Sequence, residues 1–171
     1  MTSIIVAIAE NGAIGYKNEL IYWLPNDMKR FRQLTTGNTI VMGRKTFESL
    51  PKGALPNRRN IVVSRSAKEN SFPGAECYNS LEQALQATRS GYDYEGNHSD
   101  EIYVIGGASI YEQAIKFADR LCLTCVHDSP KDADTFFPDF DQSEWEETMR
   151  EDHGADEKHK YAYSFIDLRR K

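Results

Sequence analysis

Apolar runs of strand length alternate with helical segments along most of this chain. The strand-like runs are nearly continuous rather than alternating, which is typical of strands covered on both faces, and the helices between them suit right-handed crossovers. The strand-like runs are SIIVAIA, NTIVMG, RNIVVS, EIYVIGG and RLCLTCVH, and the helical ones are the segment from Pro25, RKTFESL, SLEQALQAT and SIYEQAIKFA. This pattern predicts an α/β fold with a mostly parallel central sheet and flanking helices.

The last third of the chain has a different pattern. WEETM and YAYSFIDL flank the charged run REDHGADEKHK, which indicates an antiparallel hairpin with a long solvated turn. We expect the acidic residues of this hairpin to lie at the surface. The segment 90–100 contains two glycines and an asparagine, and it is typical of a surface loop.

Size and charge limit the classes of protein to which the chain can belong. Its 171 residues and 19.5 kDa suit one domain spanning 1–171 with a substantial core. A net charge of −5 argues against electrostatic attraction to nucleic acid or to an anionic membrane. The first apolar run is too short for a secretory signal, and no run approaches the roughly 20 residues of a membrane span. With three cysteines, which fit a reducing compartment, we expect a cytoplasmic protein.

One acidic residue falls on the apolar face of its predicted helix. Pro25 suits the first turn of a helix, because its missing N–H would go unsatisfied there in any case. The apolar face of that helix carries Leu24, Met28, Phe31 and Leu34. The opposite face carries Lys29, Arg30, Arg32 and Gln33. Asp27 falls on the apolar side, where burying a carboxylate costs free energy unless the carboxylate is paired. An acid in the first turn can simply complement the helix dipole, but this helical phase favours a functional role.

Three strand-to-helix junctions carry groups that suit an anionic ligand. In open parallel sheets, ligands bind beyond the carboxyl ends of the strands, where free N–H groups of helix starts also lie. The junction residues are Gly43, Arg44, Lys45 and Thr46 in the first, Ser64 and Arg65 in the second, and Gly106, Gly107 and Ser109 in the third. Each junction alone is compatible with an ordinary turn. Basic residues at two strand ends favour a 2′-phosphate, and therefore NADP over NAD.

Other residues that could carry chemistry have simpler explanations. Cys122 and Cys125 spell C-x-x-C, but positions three apart in a strand point to opposite faces, so we predict neither a zinc site nor a redox pair. The four histidines, His98, His127, His153 and His159, have no ligand spacing. We expect them to be solvated, and we predict no metal.

An ordered series of motifs covers almost the whole chain. It runs NGAIGYKNEL, LPNDMKRF, IVMGRKTFESL, LPNRRNIVVSR, YVIGGASIYEQA, LTCV and DTFFPD. This series resembles dihydrofolate reductase. The resemblance implies reduction of 7,8-dihydrofolate to tetrahydrofolate by NADPH, with hydride transfer to C6 and protonation at N5, in one-carbon metabolism. It also implies a monomer that binds antifolates such as trimethoprim or methotrexate.

The resemblance also implies roles for individual residues. Asp27 would hold the amidine edge of the pterin and promote protonation at N5, with support from Thr124, and Arg58 would clamp the glutamate carboxylate of the substrate. The pterin and benzoyl pocket would be lined by Ile5, Ala7, Met28, Phe31, Leu50, Leu55, Ile105 and Tyr111. The cofactor would contact the nine junction residues together with Ala7, Ile105 and Tyr111. A mobile loop closing over the nicotinamide would contain Ile14, Gly15, Asn18, Glu19 and Leu20.

The chain departs from the family pattern next to that loop. Many relatives have Pro-Trp where this chain has Ile21 and Tyr22. Tyr22 offers a phenol O–H where an indole N–H would hold an ordered water near Asp27. We therefore assign Tyr22 a catalytic role in the proton route.

Two other functions remain open at the level of sequence. A riboflavin-pathway reductase would share the fold, but it would need a site for a ribose phosphate, and the pair of Asp27 and Arg58 fits a pteroylglutamate better. A nucleotide-binding regulatory module would explain the three junctions but not the acid on an apolar helix face. NADPH oxidation that requires dihydrofolate would exclude the module, and product analysis with both substrates would exclude the other reductase.

Overall fold

The computed structural model describes residues 1–17, 19–22, 24–66, 71–89 and 101–171. The loop predicted at 90–100, with His98, lies outside the described residues. In the described part, eight strands form one large sheet and three short strands form a second one. In chain order the strands of the large sheet are β1 (Thr2–Ala9), β4 (Thr39–Gly43), β5 (Arg59–Val63), β6 (Glu76–Tyr78), β7 (Ile102–Gly106), β8 (Arg120–Val126), β10 (Trp145–His153) and β11 (Tyr163–Arg170).

The large sheet has the spatial order β10-β11-β8-β1-β7-β4-β5-β6. All neighbours from β8 to β6 pair in parallel, whereas β11 is antiparallel to both β8 and β10. The predicted mostly parallel sheet and the predicted antiparallel hairpin of 145–149 and 161–168 are therefore confirmed. The short strand β6 was not expected from the sequence.

Alternate residues of the parallel strands lie in different cores, which explains why the strands are almost continuously apolar. Ile4, Val41 and Ile61 belong to a buried cluster on one face of the sheet. Their chain neighbours Ile5, Met42 and Val62 belong to a second cluster, which also contains side chains of the helix that begins at Pro25. Both faces are thus covered, as the sequence pattern predicted.

Helices begin where the sequence indicated. Within the described residues they are α1 (Pro25–Thr35), α2 (Arg44–Ser49), α3 (Leu81–Arg89) and α4 (Ala108–Ala114). The apolar run of α4 continues to Ala118, but the helix ends four residues earlier, and the N–H of Ala118 still donates to the carbonyl of Ala114. The described helices include none that is long and apolar enough to cross a membrane.

The second sheet contains most of the segment that was expected to form a mobile loop. Its strands are β2 (Ala13–Tyr16), β3 (Glu19–Leu20) and β9 (Thr135–Phe136), in the order β3-β2-β9 and all antiparallel. Ile14 is buried in the main core, whereas Leu20 is 68% exposed. These strands are too short for their apolar periodicity to reveal them.

Two expectations about individual side chains were wrong. His159 was expected to be solvated, but it is 2% exposed and its Nδ1 lies 2.8 Å from Asp156 Oδ1. Arg30 was placed on the face of α1 opposite its apolar residues, where exposure would be usual, but its side chain is only 13% exposed. Its Nη2 lies 2.6 Å from Asp167 Oδ1, and its guanidinium stacks over Phe165. In both cases a carboxylate compensates the buried polar group, three positions away for His159 and 137 positions away for Arg30.

Candidate active site

The carboxyl ends of β1, β4 and β7 lie side by side in the sheet, because β7 pairs with β1 on one side and with β4 on the other. The register between β4 and β7 shifts beyond Val41, so that Met42 is opposite Gly106 and Ile105 is an extra residue. A bulge of this kind changes the direction of a side chain. The partly buried Ile105 packs against the cluster that also contains Ile5.

Asp27 lies in the first turn of α1 and faces β8. The Thr124 hydroxyl donates a hydrogen bond of 2.5 Å to Asp27 Oδ1. Burial raises the pKa of this carboxyl above its ordinary value, while the Thr124 hydrogen bond and the charge of Arg30 oppose that increase. The contact with Thr124 that the resemblance implied is therefore present in the structure.

Tyr111 of α4 lies under the same site. It is buried, and its hydroxyl donates to the backbone carbonyl of Ile5 at 2.9 Å. Burial and the charge of Asp27 both raise the pKa of this phenol. Tyr111 therefore remains neutral at any physiological pH and fixes α4 against β1.

Several of the apolar residues expected to line the pocket pack together. Phe31, Leu50, Leu55 and Ile105 pack, partly buried, against the cluster that contains Ile5. Met28 and Ala7 are also partly buried, and Ala7 is the strand partner of Thr124. The eight residues expected to line a pocket thus come from β1, α1, the segment after α2, β7 and α4. A carboxylate among such side chains suits a flat ligand that presents N–H donors.

Arg58 is a buried cation. It is 8% exposed, its Nε donates to the Pro56 carbonyl at 2.9 Å, and its Nη1 donates to Thr35 Oγ1 at 3.2 Å. Burial lowers the pKa of the guanidinium, and the charge of Arg32 lowers it further. Among the contacts that the structure describes for Arg58 there is no carboxylate. The side chain is therefore held in place by two neutral oxygens, and no carboxylate among the described residues compensates its charge, which suits an anionic ligand group.

The first and third junctions lie close together, and their glycines Gly43, Gly106 and Gly107 expose backbone without side chains. We call this surface the glycine cradle. A Cβ atom on Gly106, which has a φ of +135°, would lie 3.2 Å from Thr46 Oγ1, and a Cβ on Gly107 would lie 3.4 Å from the same atom. A Cβ on Gly43 would lie 3.1 Å from Ile110 Cγ1. Neither α2 nor α4 has a side-chain cap on its first N–H groups. These donors and the closely approaching backbone fit the phosphate groups of a dinucleotide.

Exposed cationic side chains lie at the first and second junctions. Arg44 and Lys45 begin α2, and Arg65 follows β5, with all three side chains exposed. The Nε of Arg44 lies 2.8 Å from Glu48 Oε1, so an anion bound there has to compete with an exposed ion pair. Ser64 is buried, and its N–H donates to the carbonyl of Tyr78. Ser109 is exposed in the first turn of α4.

The Tyr22 hydroxyl is already engaged. It donates to Asp128 Oδ2 at 2.8 Å, and burial together with this carboxylate raises the pKa of the phenol. The ring packs edge to face against Tyr161. The phenol proton of Tyr22 is thus directed to Asp128. Towards a water near Asp27, the phenol oxygen can act only as a hydrogen-bond acceptor. A catalytic role of Tyr22 stays a prediction, and the described contacts favour anchoring of the segment before α1.

Residues 13–16 and 19–20 form the antiparallel strand pair β2 and β3. Gly15 is the strand partner of both Leu20 and Thr135. Asn18, expected to contact the cofactor, lies outside the described residues. The motif in this segment is compatible with a loop and also with short paired strands, so the sequence alone did not reveal β2 and β3.

Among the described residues, the cysteines and the acidic side chains of the hairpin lie outside the site. Cys77, Cys122 and Cys125 are free thiols, and the described residues contain no group of three or more His, Cys, Asp or Glu side chains that could hold a metal ion. Glu144, Glu146, Glu147, Glu151 and Asp152 are exposed, as expected. Sequence reasoning missed Arg30 and His159, since nothing local indicates that a loop histidine or a helix arginine finds a buried partner.

A parallel sheet with a glycine-lined phosphate cradle beside a carboxylate in an apolar pocket defines a class of enzyme. Such an enzyme binds a dinucleotide next to a flat, nitrogen-rich substrate.

Comparisons with known proteins narrow this class. The family model described as dihydrofolate reductase matches residues 1–170. The chain is 42% identical to the dihydrofolate reductase of Bacillus subtilis (strain 168), over 97% of this chain and 92% of that protein. It is 41% identical to the dihydrofolate reductase of Haemophilus influenzae, over 99% of this chain and 98% of that protein. The solved structure of a dihydrofolate reductase from Enterococcus faecalis, complexed with NADP(H) and RAB-propyl, matches with a TM-score of 0.85, 33% identity, and coverage of 100% of this chain and 96% of that one. This chain belongs to the dihydrofolate reductase family.

Proposed function

We propose that this chain reduces 7,8-dihydrofolate to 5,6,7,8-tetrahydrofolate at the site formed by α1, β1, β7 and β8. The reaction is that of its family, and NADPH is the reductant. The assignment of individual residues to the steps rests on the geometry around Asp27, Arg58 and the glycine cradle.

Asp27 is the residue that orients the substrate. Its carboxylate accepts N–H groups from the amidine edge of the pterin, and the hydrogen bond from Thr124 holds it in position. The apolar side chains around it exclude water from the ring and strengthen this charged contact. Arg58 binds the carboxylate of the glutamate tail, because its buried guanidinium has no described carboxylate partner of its own.

The residues present at the junctions fit NADPH. The cradle formed by Gly43, Gly106 and Gly107 lets the pyrophosphate approach the backbone, because these positions carry no side chain and a Cβ would fill the space before Thr46 or Ile110. Arg44 and Arg65 supply the charge for a 2′-phosphate. When bound, the reduced nicotinamide supplies the hydride that C6 accepts.

Proton delivery to N5 depends on Asp27. Because burial raises the pKa of this carboxyl, its proton affinity is higher than that of a solvated aspartate. The carboxylate binds the pterin, and its charge favours protonation of the ring, with water as the carrier between them. The 2.5 Å contact between Thr124 and Asp27 is the observation that carries this assignment.

The experiment that tests it is a single-turnover measurement of hydride transfer for Asp27→Asn between pH 5 and 9. Asparagine keeps the shape and can still accept from Thr124, but it removes the charge. We expect the rate at pH 7 to fall by about 10²–10⁴, the usual range for acid–base assistance. The loss should shrink in acid, where solvent protonates the substrate first, and NADPH affinity should stay nearly constant. A parent-like rate at pH 7 would return Asp27 to the role of a helix-start acid.

The environment of the protein is part of the same proposal. We infer a cytoplasmic monomer that binds antifolates in the pterin pocket. Three free thiols support a reducing compartment. The related Enterococcus structure contains the ligand RAB-propyl, and a compound with a pterin-like amidine edge would use the same carboxylate. Light scattering of the purified protein gives the oligomeric state, and titration with methotrexate tests the pocket.

A further inference from the structure

Helix α1, which carries Asp27, has no cap from its own side chains. Its N-cap residue is Leu24, which has no side-chain oxygen, and its first residue is Pro25, which has no N–H. The next free backbone donor is the N–H of Asn26, directly before Asp27. An unsatisfied N–H at a helix start would leave the first turn free to fray.

His159 supplies the missing acceptor from 133 positions away in the sequence. The N–H of Asn26 donates to its Nε2 at 3.3 Å. Since Nδ1 of the same ring lies 2.8 Å from Asp156 Oδ1, the ring is the neutral tautomer that donates from Nδ1 and accepts at Nε2. The turn that carries it is closed by two backbone hydrogen bonds between Asp156 and His159.

A second contact fixes the same residue of α1. The side-chain amide of Asn26 donates to the Tyr163 hydroxyl at 2.6 Å. Tyr163 is 0% exposed, and its ring lies between His159, with ring centroids 4.8 Å apart, and His153, 4.9 Å away on a nearly parallel plane. Asn26 is therefore held through its backbone and its side chain by two buried groups of the β10–β11 hairpin.

We propose that His159 is a positioning residue for the reaction. It caps α1 and thereby holds Asp27 within reach of Thr124 and the pterin. This inference rests on the role of Asp27 proposed above. The geometry that supports it is independent of any ligand, because both hydrogen bonds of the imidazole are made within the chain.

Other titratable groups lie close to this contact. Asp156 faces the ring from its own turn, Tyr163 faces it from β11, and His153 of β10 lies beyond the Tyr163 ring. The hydrogen bond from His159 holds the pKa of Asp156 below its usual range. A variant of His159 should therefore preserve the contact with Asp156 if the effect on α1 is to be isolated.

Two substitutions separate the two hydrogen bonds of the ring. The amide of His159→Asn reaches the position of Nδ1 and can donate to Asp156, but it leaves the Asn26 N–H without a partner. The longer side chain of His159→Gln places its amide oxygen near the position of Nε2 and can accept from Asn26. His153→Gln removes the ring stacked on the other side of Tyr163 and serves as a control without contact to α1.

Amide hydrogen exchange at Asn26 gives a readout that needs neither substrate nor cofactor. We expect exchange at Asn26 to accelerate by about fivefold or more in His159→Asn, because one hydrogen bond is lost, and to stay close to that of the parent in His159→Gln and His153→Gln.

Single-turnover hydride transfer gives the functional readout. We expect a roughly tenfold loss at pH 7 for His159→Asn, because a carboxylate displaced by a fraction of an ångström orients the substrate less well. The midpoint of the pH profile should also move upward, since a weaker Thr124 contact no longer opposes the effect of burial on Asp27. His159→Gln should recover most of the rate.

Parent-like exchange and rate in His159→Asn would overturn the inference. Equal losses in His159→Asn and His159→Gln, with an unchanged midpoint, would also overturn it, because they would reflect a general effect of losing the imidazole. The Asp27→Asn variant is measured in the same series. If that variant were as fast as the parent, the proposed function would fail, while the exchange at Asn26 would still decide whether His159 caps the helix.

Discussion

Replacing Thr124 with valine removes the hydroxyl that donates to Asp27 and keeps the branched shape of a buried β8 residue. Thr124 is 2% exposed, so solvent is poorly placed to substitute for the lost donor. The hydrogen bond is short, at 2.5 Å, and its acceptor is a carboxylate. It stabilises the charged form of Asp27 relative to the neutral form, and its loss raises the pKa of that carboxyl further.

The size of the effect follows from the kind of hydrogen bond. Bonds to charged groups contribute about 1.5–3 kcal/mol, and 1.36 kcal/mol corresponds to one pH unit. The pH profile of hydride transfer should therefore move upward by roughly one to two units in Thr124→Val. At pH 7 the rate of proton delivery changes with it, whereas NADPH affinity stays unchanged because Thr124 does not touch the junction cradle.

The assay is single-turnover hydride transfer from pH 5 to 9, with the protein saturated with NADPH. Thr124→Ser is the matched control, because it keeps the hydroxyl and should leave the midpoint within a few tenths of a unit of that of the parent. Titration of the Asp27 carboxyl carbon by NMR in the free protein gives an independent midpoint, which should move in the same direction.

An unmoved midpoint in Thr124→Val, with Asp27→Asn still impaired, would refute this reasoning. It would mean that the contact shapes the pocket but does not set the proton affinity of the carboxyl. Equal shifts in the valine and serine variants would refute it as well, because the serine keeps the donor.

Three further predictions concern the charged groups of the site. Arg58→Lys should raise the KM for dihydrofolate by about tenfold, because a point charge replaces a planar fork, and a tail-less pterin as substrate should be unaffected; equal losses for both would contradict the assignment. Replacing Arg44 and Arg65 by alanine should weaken the affinity for NADPH by roughly ten- to a hundredfold per arginine and the affinity for NADH far less. Glu48→Gln, which frees Arg44 from its ion pair, should strengthen the binding of NADPH. Isothermal titration calorimetry measures all of these affinities. Asp27→Asn should raise the free energy of unfolding at pH 7, since burial raises the pKa of this carboxyl in the folded state. The stability that comes from protonating Asp27 is complete below the unfolded pKa of about 3.9 and is lost as pH rises through the folded pKa, so denaturant titrations should show the gain disappearing in acid.

The parts of the fold that could be predicted are those with strong local signals. The strand-to-helix alternation located β1, β4, β5, β7 and β8 and the starts of all four described helices, because continuous apolar runs and helical periodicity are properties of short segments. The C-terminal hairpin was also evident. The β2–β3–β9 sheet was not, since strands of two to four residues carry no periodicity and depend on a partner more than 100 positions away.

The residues of the site also differ in whether local sequence signals could locate them. Asp27 could be located because a helix phase is readable from its neighbours, and its contact with Thr124 followed from the family resemblance. Arg30 could not be placed correctly, since its burial depends on Asp167 and Phe165 of β11. His159 was placed in solvent because its turn is polar in sequence, although two backbone hydrogen bonds close that turn and direct the ring towards α1.

The position of β1 in the sheet affects how the chain is made. This first strand, TSIIVAIA, lies between β7 and β8, which begin only at Ile102 and Arg120. At a translation rate of about 5–20 residues per second, roughly 5–20 seconds pass before either neighbour has been synthesised. During that time an apolar strand without charge has both of its hydrogen-bonding edges open, which is the condition under which nascent chains associate with one another. Expression of this protein should therefore depend on chaperones that shield the nascent N-terminal segment until β7 and β8 have left the ribosome.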